Sequence, residues 1–336
     1  MHVKIIAECG VNHNGSLSLA KKMIDKASSI GADYVKFQSF NASELANENL
    51  KKATYQKINS KSSESQFKML KKLEISEDFH KKIIKYSSQK KIKFLSSPFD
   101  ITSLNMLLRL GIKIIKIPSG EINNYPLLLE ISKKSKEVIL STGMANNREI
   151  SNALKILLSH NLKRGQITIL QCTSDYPTNY KDVNLRVMNE FKKKYRTNIG
   201  LSDHTIGTEV AIAATALGAS MIEKHFTLNK NMSGPDHFIS SDPVEFKKMV
   251  FGIRNIELAL GSNTKTISKS ELKTKKVVRK FIIAKKDILK GEIFSLYNLT
   301  SQRTGSGIEA NYFKKLLKKK SKINYKKGQK ILKCEI

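Results

Sequence analysis

Lysine, histidine, serine and carboxylate side chains recur where short apolar segments of this 336-residue chain end. Lys36 and Lys116 each lie in such a segment, and a Ser119-Gly120 pair follows the second. Two ammonium groups among hydroxyls and backbone amides are suited to hold a phosphate or a carboxylate. The pattern therefore predicts an anion-binding site. The alternative is that either lysine only extends along a rim to reach solvent.

Two histidines, His204 and His225, end neighbouring apolar segments. Neutral imidazole is the commonest nitrogen ligand of metals in proteins. Two such ligands with open positions suit an exchangeable divalent ion that acts as a Lewis acid. The alternative is a pair of hydrogen-bonded core residues. His80 and His160 are instead predicted to lie on helix surfaces.

Two carboxylates accompany the lysines. Glu8 and Glu121 also follow apolar segments, and we expect them to face each other near Lys36 and Lys116. A carboxylate in that position could accept or donate a proton, or could simply form an ion pair with a lysine. No histidine or asparagine arrangement marks Cys9 or Cys172 as a nucleophile, so both are interpreted as small buried residues.

The segments that must position these side chains alternate between two patterns of apolar residues, one typical of helices and one typical of strands. Apolar residues recur at steps of three and four in 17–27 and 150–157, which predicts amphipathic helices. Between the helical segments lie eight predicted strands: 3–8, 34–38, 92–97, 112–117, 138–142, 167–172, 198–202 and 220–225. Eight strand–helix units in roughly 250 residues are typical of a (β/α)8 TIM barrel, whose active site lies at the carboxyl ends of its strands. A doubly wound sheet is the alternative, but 10–15 (GVNHNG) lacks the GxGxxG spacing.

The domain organisation follows from changes in composition. We expect a barrel over 1–262, a Ser/Thr/Lys-rich linker over 263–276 and a small, mainly β domain over 277–336. In that domain, 281–284, 290–294 and 328–332 are predicted strands, and 312–317 is a predicted helix. The polar segment 41–74 is either an excursion over the barrel mouth or a plain surface insertion.

Composition excludes several classes of protein. The net charge is +31, but the excess lysine is spread over helical segments without a nucleic-acid motif. We therefore expect a field that attracts anionic substrates and no nucleic-acid partner. No apolar run approaches the ~20 residues of a membrane span. Three scattered cysteines do not form a disulfide framework, so we expect a soluble, reduced, cytoplasmic protein.

The chain contains several long motifs in a fixed order: 7–15 (AECGVNHNG), 35–38 (VKFQ), 116–121 (KIPSGE), 141–144 (STGM), 200–205 (GLSDHT), 223–228 (EKHFTL) and 234–237 (GPDH). These motifs resemble those of the sialic acid synthase family. The C-terminal segment is similar to that family's antifreeze-like (SAF) domain, although 303–307 (RTGSG) departs from the RPGNG found in many members. Ser97 likewise stands where many members have threonine.

The resemblance implies a phosphoenolpyruvate-dependent transferase that forms a C–C bond with an N-acylated mannosamine-type sugar. It implies Mn²⁺ or a similar ion on His204 and His225, and catalytic roles for Glu8, Lys116 and Glu121. The implied phosphoenolpyruvate ligands are the two lysines with Gln38, Ser97, Ser119, Ser141, Ser174 and Ser202. Glu8, Tyr176 and Asp236 would hold the sugar, and Arg303 would reach the barrel of the partner in a domain-swapped homodimer.

The product and the reaction leave alternatives open. We expect N-acetylneuraminate from N-acetylmannosamine, with phosphate leaving by C–O cleavage. The alternative product is legionaminate, made from 2,4-diacetamido-2,4,6-trideoxymannose. An aldolase would instead use one lysine as a Schiff base with pyruvate. A non-catalytic barrel that binds anions or nucleic acid is the alternative of another class.

Overall fold

The computed structural model describes residues 2–52 and 64–335. Contacts divide the chain into two compact units, Met1–Gly261 and Ser262–Ile336. Within the described residues, no helix combines the length and apolar character needed to cross a bilayer. The polar segment predicted over 41–74 includes residues 53–63, which lie outside the described residues.

Eight parallel strands close into a barrel in the first unit, with β1 paired to both β2 and β8. The strands are β1 Lys4–Gly10, β2 Tyr34–Ser39, β3 Lys93–Pro98, β4 Ile114–Ile117, β5 Glu137–Ser141, β6 Ile167–Cys172, β7 Asn198–Asp203 and β8 Met221–His225. The predicted TIM barrel is therefore confirmed, and the predicted strand bounds differ from the observed ones by at most two residues.

Helices follow the strands, and most of them cover the outside of the barrel. They are α1 Leu17–Ile30, α2 Ala42–Leu45, α3 Gln66–Leu73, α4 Glu77–Gln89, α5 Ile101–Arg109, α6 Tyr125–Lys134, α7 Asn147–Leu157, α8 Val187–Tyr195, α9 Glu209–Ala216 and α10 Pro243–Leu260. Helix α7 buries Ile150, Ala153, Leu154 and Leu157, the face predicted from its period. Its N-terminus begins at a capping box in which Asn146 and Glu149 satisfy each other's backbone N–H groups.

Along each strand, successive side chains point alternately to the interior and to the exterior of the barrel. In β8, Met221 packs inside the barrel with Ile6, Leu95 and Leu170, whereas Ile222 belongs to the core between strands and helices. Since successive side chains point to opposite faces, Glu223 and His225 share the interior side with Met221, and Lys224 lies on the exterior side. The polar residues at the strand ends thus stand directly above an apolar barrel core.

His80 differs from its prediction. It lies on α4 but is only 1% exposed, because its imidazole hydrogen-bonds the Ser39 hydroxyl at 2.7 Å and the Ser76 carbonyl oxygen at 2.8 Å. The prediction of a surface position was wrong because a histidine on an amphipathic helix can face a polar strand residue. His160 is exposed, as predicted.

The second unit holds α11 (Lys269–Val278), the antiparallel strands β9 (Phe281–Ala284) and β10 (Leu299–Gln302), and α12 (Phe313–Leu316). The predicted strands 290–294 and 328–332 were wrong, since they make only isolated bridges at Ile293 and Lys330. The sequence analysis also missed β10. The unit's core is small and contains Ile282, Phe294, Leu299 and Tyr325.

Candidate active site

One cavity of about 540 Å³ opens at the carboxyl ends of the barrel strands. It is lined by fourteen of the fifteen predicted site residues: Glu8, Lys36, Gln38, Ser97, Lys116, Ser119, Glu121, Ser141, Ser174, Tyr176, Ser202, His204, His225 and Asp236. These residues come from every strand of the barrel or the loop that follows it. Closure of the sheet therefore brings together side chains that are more than 200 residues apart in sequence.

The cavity floor is a buried cluster of charges. Glu223 Oε1 lies 3.0 Å from Lys116 Nζ and 3.4 Å from Lys36 Nζ, and Lys36 Nζ also lies 3.1 Å from Glu8 Oε1. All four side chains are at most 6% exposed. Two lysines from alternate strands thus meet in one pocket, where both pair with carboxylates.

Burial and ion pairing act against each other on the pKa values of this cluster. Burial opposes ionisation of Glu223, but Lys116 and Lys36 lower the pKa of that carboxyl to about 2. Burial alone would lower the pKa of Lys36, yet Glu223 and Glu8 raise it above its usual value. Burial lowers the pKa of Lys116, against the attraction of Glu223. An anionic ligand would therefore enter a floor that already holds ammonium groups.

Serine hydroxyls surround the lysines. Lys36 Nζ donates to Ser97 Oγ at 3.2 Å, and Ser202 Oγ donates to Glu223 Oε1 at 3.1 Å. Among the described residues, Ser141 Oγ is buried and has no hydrogen-bond partner. A buried hydroxyl without a partner loses free energy unless a ligand supplies one. Ser141 is thus suited to contact a bound anion.

Gly143 lets two of these serines approach one another. Its backbone N–H donates to Ser119 Oγ at 2.9 Å. A Cβ atom at this position would lie 2.1 Å from Ser174 Oγ and 2.8 Å from Ser119 Oγ. Any larger residue would therefore force both hydroxyl groups to shift.

The two histidines fit a metal site. Their ring centroids are 5.5 Å apart, and the Tyr176 ring lies 4.2 Å from that of His204. His204 Nδ1–H donates to the Thr173 carbonyl oxygen at 2.7 Å, which fixes its tautomer and leaves Nε2 with a free lone pair. His225 Nδ1 is buried and has no hydrogen-bond partner within the described part of the chain. Across residues 2–52 and 64–335, however, no three His, Cys, Asp or Glu side chains form a ready-made ligand set.

Carboxylates and an amide form the side of the cavity near β1. Gln38 Nε2 donates to Glu8 Oε1 at 3.3 Å. A Cβ at Gly10 would lie within 3.4–3.6 Å of Gln38, Glu8 and Asp236, so the missing side chain leaves room where these three groups converge. Burial, aided by Glu8, raises the pKa of Asp236 to about 7. This group can therefore exchange a proton near neutral pH.

The raised pKa of Asp236 predicts an effect on stability. Between its unfolded pKa of 3.8 and its folded pKa of about 7, the folded protein binds the extra proton, so stability falls as the pH rises. The Asp236→Asn variant does not titrate. We therefore expect its free energy of unfolding at pH 8 to exceed that of the wild type by up to about 4 kcal/mol. Its unfolding temperature at pH 8 should be correspondingly higher. At pH 4.5 most of this gain is absent.

Thermal unfolding of both proteins at the two pH values tests this expectation. The exposed Asp78→Asn variant is the matched control, which leaves the difference between the two pH values close to that of the wild type. An equal gain from Asp236→Asn at pH 4.5 and pH 8 would contradict the assignment.

Glu121 lies in the cavity but not where it was expected. It belongs to a short 3₁₀ turn after β4, and its Oε2 accepts a hydrogen bond from Asn124 Nδ2 at 2.6 Å. Burial raises the pKa of Glu121, and nearby Asp100 adds to the effect. No ion pair links it to Lys36 or Lys116 in the described structure, whereas Glu8 does pair with Lys36. The two carboxylates thus have different environments.

The sequence analysis gave no role to Glu223, although it joins both lysines. It also missed an ion pair on the exterior side of the barrel, where Lys224 Nζ lies 2.6 Å from Asp203 Oδ2 and 2.7 Å from the Thr205 carbonyl oxygen. Because Asp203 precedes His204 and Lys224 precedes His225, this pair fixes the strand ends that carry both imidazoles. The signal available in the sequence was the run of three ionisable residues in β8 (EKH), from which both ion pairs could have been expected.

Arg303 is the predicted site residue outside the cavity lining. It lies in the second unit, directly after β10, and is exposed.

Comparison with known proteins identifies the family. A family model described as the NeuB family matches residues 23–265 of the chain. The chain belongs to the NeuB family. NeuB-family proteins are phosphoenolpyruvate-dependent synthases, so this chain is a phosphoenolpyruvate-dependent nonulosonic acid synthase, and members of the family use a divalent metal. The family resemblance drawn from its motifs is confirmed.

Individual NeuB relatives cover nearly the whole chain. An N,N'-diacetyllegionaminic acid synthase of Campylobacter jejuni is 50% identical, covering 97% of this chain and 97% of its own. One from Legionella pneumophila is 41% identical and covers 98% and 93%. The crystal structure of an N-acetylneuraminic acid (sialic acid) synthetase from Leptospira borgpetersenii has a TM-score of 0.72 at 36% identity, covering 82% and 90%.

Proposed function

We propose that this NeuB-family enzyme is an N,N'-diacetyllegionaminic acid synthase, which condenses phosphoenolpyruvate with 2,4-diacetamido-2,4,6-trideoxymannose. The observation that carries the proposal is the 50% identity over 97% of both chains to a synthase of that name, against 36% for the sialic acid synthetase. The relatives therefore favour the alternative product of the sequence analysis over its first expectation, N-acetylneuraminate.

Phosphoenolpyruvate binds at the cavity floor in this proposal. Its phosphate and carboxylate join Glu8 and Glu223 as partners of the two lysine ammonium groups. Ammonium groups are strong donors to such oxyanions, and Ser141 supplies a hydroxyl that has no partner in the described chain. The remaining floor contacts come from Gln38, Ser97, Ser119, Ser174 and Ser202.

The acceptor sugar lies above the floor, with its C1 aldehyde toward C3 of phosphoenolpyruvate. Glu8, Tyr176 and Asp236 contact its hydroxyl and amide groups. A divalent ion on His204 and His225, which we take to be Mn²⁺, would supply Lewis-acid polarisation of the aldehyde oxygen. These residues fit an ion because both imidazoles are buried and each has a ring nitrogen that no hydrogen bond within residues 2–52 and 64–335 occupies.

The chain's own carboxyl groups account for the proton transfers. C3 attacks the aldehyde, and water adds at C2, after which phosphate leaves with its C–O bond broken. Glu121, whose pKa is raised by burial, takes the proton of that water, and the acid form of Glu8 or Asp236 donates to the sugar oxygen. The lysines neutralise the departing phosphate.

An acceptor panel tests the proposed function. We expect phosphate release with 2,4-diacetamido-2,4,6-trideoxymannose to have a kcat/KM at least about tenfold above that with N-acetylmannosamine, because one missing contact group is worth 1–3 kcal/mol. Phosphoenolpyruvate labelled with ¹⁸O at the bridging oxygen should give labelled phosphate.

A reaction without sugar serves as the control and should release no phosphate. A higher kcat/KM for N-acetylmannosamine would contradict the proposed acceptor, and label retained in the sugar acid would contradict C–O cleavage.

We further propose that residues 277–336 act as a SAF domain in a domain-swapped homodimer and that Arg303 contacts the acceptor bound to the partner subunit. A planar guanidinium suits the acyl carbonyl of the sugar better than an ammonium group does. The second unit supports the proposal because its small core gives it little stability of its own.

Complementation between subunits tests this arrangement. Arg303→Ala is expected to lower kcat/KM for the sugar roughly ten- to hundredfold, the loss of about 1.5–3 kcal/mol of hydrogen bonding, with little change in affinity for phosphoenolpyruvate. Mixing it with Lys116→Met produces heterodimers with one complete active site. A 1:1 mixture should therefore recover up to about a quarter of the wild-type activity.

As a control, each variant is taken through the same mixing procedure alone. Its activity should stay at its own low level. Heterodimers that form without recovering activity would show that Arg303 does not act on the partner.

A further inference from the structure

A group of apolar residues contributed by the ends of β1, β2 and β3 and by α2 and α3 lines part of the cavity. We define the apolar wall as Val11, Phe40, Leu45, Met69, Leu70 and Phe99, all of which line the cavity and pack in one hydrophobic cluster. None of these residues has a place in the reaction proposed above. A carbohydrate site that needed only hydroxyl recognition would gain nothing from such a surface.

The wall stands above the polar floor, toward the cavity mouth. On β2, Gln38 is followed two residues later by Phe40, and on β3, Ser97 is followed two residues later by Phe99. Since the strands run toward the mouth, these later positions lie farther from the lysines. Along these two strands the lining therefore changes from polar groups near the floor to apolar groups near the mouth.

Local hydrogen bonds hold the wall in place. The backbone N–H of Asn41 donates to Asp100 Oδ2 at 2.8 Å, and the backbone N–H of Ala42 donates to Glu74 Oε2 at 3.1 Å. The first bond ties the end of β2 to the start of α5, and the second ties the start of α2 to the end of α3. Phe40 and Phe99 meet edge to face with ring centroids 6.1 Å apart. The wall is a packed part of the barrel unit.

The side of the cavity formed by the ends of β6, β7 and β8 is polar. Tyr176, His204 and His225 lie there. Hydroxyl groups of the acceptor gain hydrogen bonds on that side and on none of the six side chains of the wall. An acceptor therefore orients its apolar groups toward the wall, since a hydroxyl there loses its water without gaining a partner.

The geometry points to the apolar wall as the surface that recognises the C6 methyl group of a 6-deoxy acceptor. This inference rests on the proposed function, because the aldehyde end must lie beside the lysines and the histidine pair. Carbon 6 is at the far end of the chain from C1, so it reaches the level of the cavity where the wall lies. A methyl group gains free energy when it is buried against the wall. A hydroxymethyl group would lose free energy there, because its hydroxyl would give up water without gaining a hydrogen-bond partner.

The two half-buried leucines of the wall, Leu45 and Leu70, are the positions to vary. Leu45→Gln and Leu70→Gln place an amide beside C6 without emptying the hydrophobic core. Leu158→Gln is the matched control, because Leu158 is also half-buried at a helix end but does not line the cavity. KM for phosphoenolpyruvate reports whether the cavity floor is intact in each variant.

Two acceptors that differ only at C6 provide the measurement: 2,4-diacetamido-2,4,6-trideoxymannose and its 6-hydroxy counterpart. A single apolar contact group of this kind is worth roughly 10–200-fold in kcat/KM. We expect the wild type and Leu158→Gln to prefer the 6-deoxy sugar at least about tenfold. In Leu45→Gln and Leu70→Gln the preference should fall severalfold, with KM for phosphoenolpyruvate unchanged.

The outcomes separate this inference from the proposed function. If the wild type uses both diacetamido sugars equally well, or if both wall variants keep the wild-type preference, the role of the wall is overturned while the proposed function stands. If neither diacetamido sugar is used and N-acetylmannosamine is, the proposed function itself is overturned.

Discussion

Replacing Lys116 with methionine is expected to lower kcat/KM for phosphoenolpyruvate between about a hundredfold and several thousandfold. The substitution removes an ammonium group from the proposed phosphate site and leaves Glu223 with only Lys36 as a cationic partner. Truncating one partner of a buried, hydrogen-bonded charge pair between two binding partners costs roughly 3–5 kcal/mol of binding free energy, and every 1.4 kcal/mol is a factor of ten. Equilibrium binding of phosphoenolpyruvate to the folded variant, together with steady-state kinetics, measures the loss.

Lys224→Met is the matched control for this experiment. Lys224 is as buried as Lys116 and pairs with Asp203, but it lies on the exterior side of the barrel and does not line the cavity. Both variants should lower the unfolding temperature, yet only Lys116→Met should weaken phosphoenolpyruvate binding to the folded protein by the stated factor. Equal binding losses in the two variants would show that the effect is structural and not due to a phosphate contact.

His225→Ala and His204→Ala are each expected to abolish most activity and to weaken Mn²⁺ binding by more than about a hundredfold. The expected ligand set contains only these two protein nitrogens, and even indirect disturbance of a metal ligand typically costs 10–100-fold in affinity. Mn²⁺ binding followed by electron paramagnetic resonance is a readout independent of turnover. Chelation of the wild type should likewise stop the reaction, and added Mn²⁺ should restore it.

His160→Ala controls for nonspecific effects of removing an imidazole, because His160 is exposed and does not line the cavity. It should leave Mn²⁺ affinity and activity unchanged. Undiminished Mn²⁺ affinity in both His204→Ala and His225→Ala would remove the pair from the metal site. Full activity of either variant after exhaustive chelation would remove the metal from the reaction.

Periodicity in the sequence was sufficient to predict the barrel. Strands buried on both sides carry runs of β-branched and aliphatic residues, and helices that cover a sheet carry an apolar residue every three or four positions. Both patterns are local, so they are visible at Ile167–Cys172 and Asn147–Leu157 without knowledge of any partner. The second unit lacks such regular patterns, and there two predicted strands were wrong and β10 was missed.

The residue types at the strand ends were enough to predict which side chains gather at the site. In a parallel barrel all carboxyl ends lie on one face, so Lys36, Lys116, His204 and His225 had to converge once the fold was given. The sequence could not show how they pair. Glu223 became the common partner of both lysines, and Glu121 hydrogen-bonded Asn124 and not a lysine, because such contacts depend on distances of a few ångströms across the barrel.

The sequence by itself therefore determined the barrel and the chemistry that its strand ends could carry, since both depend on residue type and local period. Only the tertiary structure decided which groups are buried together, which ring nitrogens stay unpaired, and which side of the cavity is apolar. The two residues that α3 contributes to the apolar wall illustrate the difference. Met69 and Leu70 are ordinary residues of an amphipathic helix in the sequence, and only the packing of α3 against Phe40 and Phe99 places them in the cavity lining.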